Sequence, residues 1–193
     1  MRRAVFLDRD GTLNHDPGYL GNPDEVILLP SVGESLSLLK NTYNFTLIVI
    51  SNQSGVARGL ISKTDVDKVN QRINHLLAKF NVKIDAFYYC TAHPDFSSKE
   101  ECGCRKPSPK MILDAAKEFE IDLSASYMIG DAKTDIEAAK NAGCKSILIK
   151  TGYGEESFNA LLSENNLPNF VAENFKAACD YIINDISGEK IEK

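Results

Sequence analysis

An α/β fold is what this sequence predicts: a Rossmann-like, doubly wound, mainly parallel sheet with helices on both faces. Its short apolar runs are nearly continuous rather than alternating, as strands buried on both sides require. Helical patterns fall between those runs, so each strand-to-strand connection is a right-handed crossover. Polar segments rich in Asp, Ser, Lys and Gly follow directly after several runs, and ligands gather at the carboxyl ends of such strands.

The elements follow in order. Residues 4–7, Ala-Val-Phe-Leu, form a short buried-type strand. Residues 45–50 form a second, rich in β-branched side chains. Further strands are expected at 84–89, 127–129 and 146–149. Between them, residues 32–39 place Val32, Leu36 and Leu39 on one helical face. A longer helix at 63–80 repeats Val66, Val69, Ile73, Leu76, Leu77 and Phe80 at helical spacing. A helix at 109–119 opens on Ser108 as N-cap and Pro109 at its first position. One at 134–142 ends at Gly143, a natural C-cap. Late helices are expected at 157–162 and 175–183. No repeat, low-complexity stretch or linker interrupts the pattern. Residues 1–187 are therefore expected to make one domain, with 188–193 a disordered polar tail.

Composition narrows the function classes. The 193 residues suffice to bury a full core. A net charge of −5 argues against a nucleic-acid coat and carries no membrane-surface signature. The apolar run after Met1-Arg2-Arg3 is too short for a signal-peptide core and ends at Asp8, and no stretch approaches the ~18 apolar residues of a membrane span. The expectation is a cytoplasmic monomer acting on a small molecule, with no nucleic-acid or membrane partner. Five cysteines without an export signal do not read as a disulfide framework. Cys144 and Cys179 sit in apolar patterns and read as core residues.

Four polar motifs carry chemistry. After the first strand, Asp8-Arg9-Asp10-Gly11-Thr12 sets two carboxylates two positions apart, with Gly11 permitting a turn that re-aims Asp10. One carboxylate can attack phosphorus; the other can protonate the leaving oxygen and then activate water. A hard cation such as Mg2+ would neutralise the facing charges. After the second strand, Ser51-Asn52-Gln53-Ser54-Gly55 offers a hydroxyl and backbone N–H groups to phosphate oxygens. Arg105-Lys106-Pro107 supplies adjacent cations. After the fourth strand, Gly130-Asp131-Ala132-Lys133-Thr134-Asp135 puts Asp131 where a metal would bind, with Asp135 one helical turn on. Taken singly each has a plainer reading: an acidic solvated turn, a polar turn, a basic pair before a helix, acids at a helix N-terminus. Together they supply nucleophile, acid, metal ligand and phosphate grip, the parts phosphoryl transfer needs.

In that order and across most of the chain, the four motifs resemble those of the haloacid dehalogenase superfamily of phosphatases. The resemblance implies Asp8 as nucleophile and Asp10 as general acid/base. It implies Mg2+ on Asp8, the Asp10 carbonyl and Asp131, and a phosphoryl group steadied by Ser51 and Lys106. Gly18-Tyr19, the segment from Ser51 through Arg58-Gly59, and Cys104-Arg105-Lys106-Pro107 are similar to the D-glycero-D-manno-heptose 1,7-bisphosphate phosphatases, close relatives of the histidinol-phosphatases. These are members without a large cap domain. By this resemblance Asp16, Gly18, Tyr19, Asn52, Gln53, Ser54, Arg105 and Lys106 meet the substrate, with Arg105 also counted in the catalytic set. The implied reaction removes the C7 phosphate of a heptose bisphosphate on the way to a nucleotide-activated heptose for lipopolysaccharide. Histidinol phosphate or another small sugar phosphate is the alternative.

Both families carry a structural zinc loop. Here Cys90, His93, Cys102 and Cys104 offer three thiols and one imidazole beside the basic pair, a set suited to a closed tetrahedral site. Unmetallated cysteines with a solvated histidine are the plainer reading. Ala92 stands where those families place the ligand histidine, so the set depends on His93 reaching the metal from one position later. Ala132 likewise stands where a lysine commonly follows the motif-four aspartate.

Overall fold

The computed structural model describes residues 1–188. Six strands make one all-parallel sheet: β1 Ala4–Leu7, β2 Thr46–Asn52, β3 Ala86–Cys90, β4 Tyr127–Gly130, β5 Lys145–Ile149 and β6 Phe170–Ala172. Their spatial order is β3-β2-β1-β4-β5-β6. Connecting them are α1 Val32–Asn41, α2 Lys63–Leu77, α3 Lys110–Phe119, α4 Lys133–Ala142, α5 Gly154–Ser163 and α6 Phe175–Ser187.

The near-continuous apolar strands have the expected cause. Every residue of β1 is fully buried, because alternate side chains enter different cores. Val5 and Leu7 join Val32, Leu36, Val69, Ile73 and Ile182 from α1, α2 and α6. Ala4 and Phe6 join Met111, Ile112, Ala115, Ala138 and Ala139 from α3 and α4. Leu161 of α5 closes a smaller cluster with Ile136 and Leu148. Cys144 and Cys179 are buried in this packing, and burial pushes the Cys144 thiol up to about 12.

Some boundaries differ from the sequence pattern. Strand β6 is three residues long, and its Phe170 and Val171 are half-buried, too little apolar periodicity to register. Helix α2 ends at Leu77 and a 3-10 turn covers Ala78–Phe80. Ser108 does not cap α3: Pro109 holds the cap position, and the Ser108 hydroxyl donates to the Gly103 carbonyl at 2.7 Å. Gly143 does terminate α4, at φ +84°. The expected tail falls largely at 189–193, outside the described residues.

The order β2-β1-β4 contains the switch point. After β1 the chain winds toward β3; it then crosses back to lay β4 on the other side of β1. Crossovers leave in opposite directions from neighbouring strand ends, so a crevice opens there. Asp8 ends β1 and Asp131 ends β4, side by side, with the Asp8 N–H donating to the Ile129 carbonyl at 2.9 Å.

Candidate active site

A cleft of about 220 Å3 opens at these strand ends. Asp8, Asp10, Ser51, Arg105, Lys106 and Asp131 line it, and so do Asp16, Gly18, Tyr19, Asn52, Gln53 and Ser54. Every residue expected to serve catalysis, magnesium or substrate therefore meets in one place. A larger groove of about 720 Å3 lies at the opposite edge around Arg2, Arg3 and Lys40. Two of its cations are engaged: Lys40 pairs with Asp85 at 2.5 Å, and Arg3 donates to the Tyr43 carbonyl.

Lys106 is the centre of the charge arrangement. Its ammonium is buried, donates to Asp8 Oδ1 at 2.6 Å and to the Ile50 carbonyl at 2.7 Å, and lies 2.6 Å from Asp135 Oδ1. Burial alone would lower its pKa, but Asp135 and Asp8 outweigh that and hold it above the usual lysine range. Asp8 is moved the other way. Desolvation raises its pKa well above the carboxylate norm, Lys106 opposes the rise, and Asp135 and Asp131 add to it. Lys106 thus keeps Oδ1 of Asp8 in place.

Asp131 is fixed from three sides. Thr12 Oγ1 donates to its Oδ1 at 3.3 Å, and the Tyr153 N–H donates to its Oδ2 at 2.9 Å. Gly11 supplies the third: at φ +81° it turns the chain so closely that a Cβ there would sit 2.3 Å from Asp131 Oδ2. Asp8, Asp131 and Asp135 bring carboxylate oxygens within 4.8 Å of one another. Three buried carboxylates around one lysine hold surplus negative charge, so the donor set fits a hard divalent cation. Of the three residues expected to hold magnesium, Asp8, Asp10 and Asp131, the carboxylates of Asp8 and Asp131 are joined here by Asp135, whose Oδ2 also accepts from the Ala132 N–H at 3.0 Å.

The carboxylate of Asp10 is held apart from that cluster. Asn14 donates to its Oδ1 at 2.9 Å; Gln53 and Arg9 donate to its Oδ2 at 2.8 and 2.7 Å. Arg9 is completely buried and also donates to Gln53 Oε1 and Asn70 Oδ1. Gln53 Nε2 further donates to Ser51 Oγ at 2.7 Å. Asn52 does more than line the pocket. Its amide accepts from the Lys106 N–H at 3.0 Å and donates to the Lys106 carbonyl at 3.2 Å, tying the end of β2 to the basic segment. At the rim, Asp16 accepts from the Gly18 N–H at 2.8 Å and Tyr19 stays half exposed.

Sequence reasoning passed over Arg9, Asn14, Asn70 and Tyr153. Asn70 left a signal: a polar residue on the apolar stripe of α2 between Val66 and Ile73, where it is buried. Lys133 plays no part in the site. It forms ion pairs with Glu164 and Glu137 on the outside of α4.

The zinc-type donors are not gathered. Cys90 and Cys104 are joined as a disulfide, Cys102 is a free thiol, and His93 Nε2 lies 2.7 Å from Arg58 Nη2. Successive extended residues point opposite ways. Ala92 therefore shares the core with Cys90, and His93, one position on, turns outward to Arg58 and Phe96.

Comparison with known proteins agrees with this geometry. A D-glycero-D-manno-heptose-1,7-bisphosphate 7-phosphatase of Chlorobaculum tepidum is 38% identical over 192 residues, 94% of each chain. The chain belongs to this family of haloacid dehalogenase-type phosphatases. The D-glycero-beta-D-manno-heptose-1,7-bisphosphate 7-phosphatase of Escherichia coli is 41% identical over 154 residues, 77% of this chain and 80% of that one. A HAD-hydrolase-like family model matches residues 103–178. The crystal structure of a D,D-heptose 1,7-bisphosphate phosphatase from B. bronchiseptica, complexed with magnesium and phosphate, superimposes with a TM-score of 0.83 at 32% identity, covering 95% of this chain and 99% of that one. In a phosphatase of this family the buried acidic cluster and Lys106 have their chemical explanation.

The cluster also predicts how stability responds to pH. Burial, then Asp135, raise the Asp131 pKa from 3.8 to about 6. The folded state holds that proton more tightly than the unfolded one, so its contribution is full below pH 3.8 and is lost as pH rises through about 6. The loss is on the order of 3 kcal/mol. Urea unfolding of chelator-treated protein should show the stability gap between Asp131→Asn and wild type widening in favour of the variant from pH 4 to 7. Magnesium should narrow that gap. A gap independent of pH would contradict the assignment.

Proposed function

We propose that this enzyme removes the C7 phosphate of D-glycero-D-manno-heptose 1,7-bisphosphate through a phosphorylated Asp8, on the way to a nucleotide-activated heptose. The observation that carries the chemistry is Lys106 between Asp8 and Asp135, beside an Asp10 held separately by Arg9, Asn14 and Gln53. The activity named for the relatives supports the sugar.

Asp8 attacks phosphorus while Lys106 and Ser51 hold the phosphoryl oxygens. Asp10 gives its proton to the departing sugar oxygen. It then takes a proton from the water that splits the aspartyl phosphate, releasing phosphate and restoring Asp8. A divalent cation on Asp8, Asp131 and the Asp10 carbonyl would supply charge neutralisation. Asp16, Gly18, Tyr19, Asn52, Ser54 and Arg105 shape the sugar side.

A panel of phosphate esters tests the reading. Both anomers of the heptose bisphosphate should be compared with histidinol phosphate and with fructose 1,6-bisphosphate. Faster turnover of histidinol phosphate than of either heptose bisphosphate would reject it.

The same reading takes residues 1–187 as one domain and the enzyme as a cytoplasmic monomer; gel filtration checks the oligomeric state. It also takes Cys90, His93, Cys102 and Cys104 as a structural zinc set. The support is chemical: three thiols and an imidazole in one loop, two of the sulfurs already adjacent. Zinc would require the reduced thiols and a turned His93. Protein purified without chelator should then hold one zinc per chain; zinc unchanged in Cys102→Ser would reject this part.

A further inference from the structure

The connection from β5 to α5 runs through Thr151-Gly152-Tyr153. The chemistry above uses none of these side chains, yet the turn touches both loops that carry the acidic cluster. The Thr151 hydroxyl donates to the Gly11 carbonyl at 2.7 Å, on the loop after β1. The Tyr153 N–H donates to Asp131 Oδ2 at 2.9 Å, at the end of β4. Two residues apart in sequence, they tie together segments that are far apart in the chain. The Gly154 N–H donates to the Thr151 carbonyl at 2.8 Å and closes the turn on itself.

Gly152, between them, lets the turn come this close. Its φ of +54° lies in the left-handed region, where a side chain is strained. A Cβ there would sit 2.1 Å from Asp131 Oδ2 and 3.0 Å from Gly11 Cα. Asp131 Oδ2 is thus flanked by two glycines, Gly11 from one loop and Gly152 from the other.

The sheet does not require these contacts. Strands β1 and β4 already pair along Val5–Leu7 and Tyr127–Ile129. What that pairing leaves free is the position of the chain beyond each strand end, where the cation ligands are expected. Mg2+ takes oxygen ligands at about 2.1 Å in near-octahedral geometry and tolerates little misplacement. Before it binds, the facing carboxylates repel one another. Ligands from two loops therefore need an outer shell of hydrogen bonds that holds them in register. The Gly11 carbonyl that Thr151 grips is the next one along from the Asp10 carbonyl.

We infer that Thr151-Gly152-Tyr153 is the outer shell of the magnesium site, with Thr151 a positioning residue that holds the Asp10-Gly11 segment against Asp131. This rests on the reading that Asp8, the Asp10 carbonyl and Asp131 hold the cation. Magnesium binding to chelator-treated wild type, Thr151→Val, Thr151→Ser and Gly152→Ala should be measured by calorimetry without substrate. Valine keeps the shape and loses the donor, so its magnesium Kd should rise about tenfold or more, the effect of removing an outer-shell partner. Thr151→Ser keeps the hydroxyl and should bind as wild type does. Gly152→Ala should lose more, because the added methyl displaces Asp131 itself; the Thr151 pair decides even if that variant does not fold. In turnover assays Thr151→Val should need more magnesium for half-maximal rate yet approach the wild-type kcat once magnesium saturates. An unchanged Kd in Thr151→Val overturns the inference. So does a Thr151→Ser variant as weak as Thr151→Val, since the loss would then come from packing and not from the hydroxyl. A wild type that binds no magnesium is a different result: it rejects the metal reading itself, and the outer shell with it.

Discussion

Asp8→Asn should lower kcat by about 10^4-fold or more, the scale seen when a covalent nucleophile is removed. Asparagine keeps the shape and can still accept from Lys106, but its amide does not attack phosphorus. The variant should fold as well as wild type or better. Burial and two neighbouring carboxylates already work against a charged Asp8, and Lys106 keeps Asp135 as partner. The loss is then chemical rather than structural, and urea unfolding beside the rate assay separates the two. Protein quenched during turnover should carry a phosphoryl group in wild type and none in the variant. Retained turnover in Asp8→Asn would overturn the nucleophile assignment.

Lys106→Met should damage both stability and rate. Methionine fills most of the stem's volume, so packing is a minor part of the effect. What is lost is the cation between Asp8 and Asp135, together with the hydrogen bond to the Ile50 carbonyl. Breaking a buried pair leaves uncompensated charge and costs about 3–5 kcal/mol. The exposed pair Lys110–Asp114 on α3 makes a control, since such pairs contribute at most about 1 kcal/mol. The Lys106→Met deficit should shrink as pH falls and the carboxylates take up protons. The rate should fall about 10^2- to 10^3-fold with the loss of a preorganised cation at the transferred group. A Lys106→Met protein as stable as wild type at pH 7 would contradict the central role given to this lysine.

Much of the site was legible without coordinates because its residues follow strands. A short apolar run marks a buried strand, and the next polar residue must lie at the sheet edge. That local rule places Asp8, Ser51 and Asp131 at the cleft. Lys106 was legible by a different route, as one of two adjacent cations before a helix, and its burial was not part of that signal. The short strand β6 fell below what periodicity can register. Arg9 was missed because a charged residue inside an acidic motif reads as solvated. It is buried instead, because Asp10, Gln53 and Asn70, from three separate elements, satisfy its guanidinium.

The sequence by itself determined the strand-helix alternation and which polar residues, Asp8, Ser51 and Asp131 among them, follow the strands into the cleft, all consequences of local pattern. Only the tertiary structure decided the rest. It set Asp135 as the third carboxylate around Lys106, bonded Asn52 to the Lys106 backbone, and turned His93 toward Arg58 instead of the cysteines. The physical reason is the strand order. Placing β1 between β2 and β4 brings together residues dozens of positions apart, and hydrogen bonds across such distances leave no period in the chain that makes them.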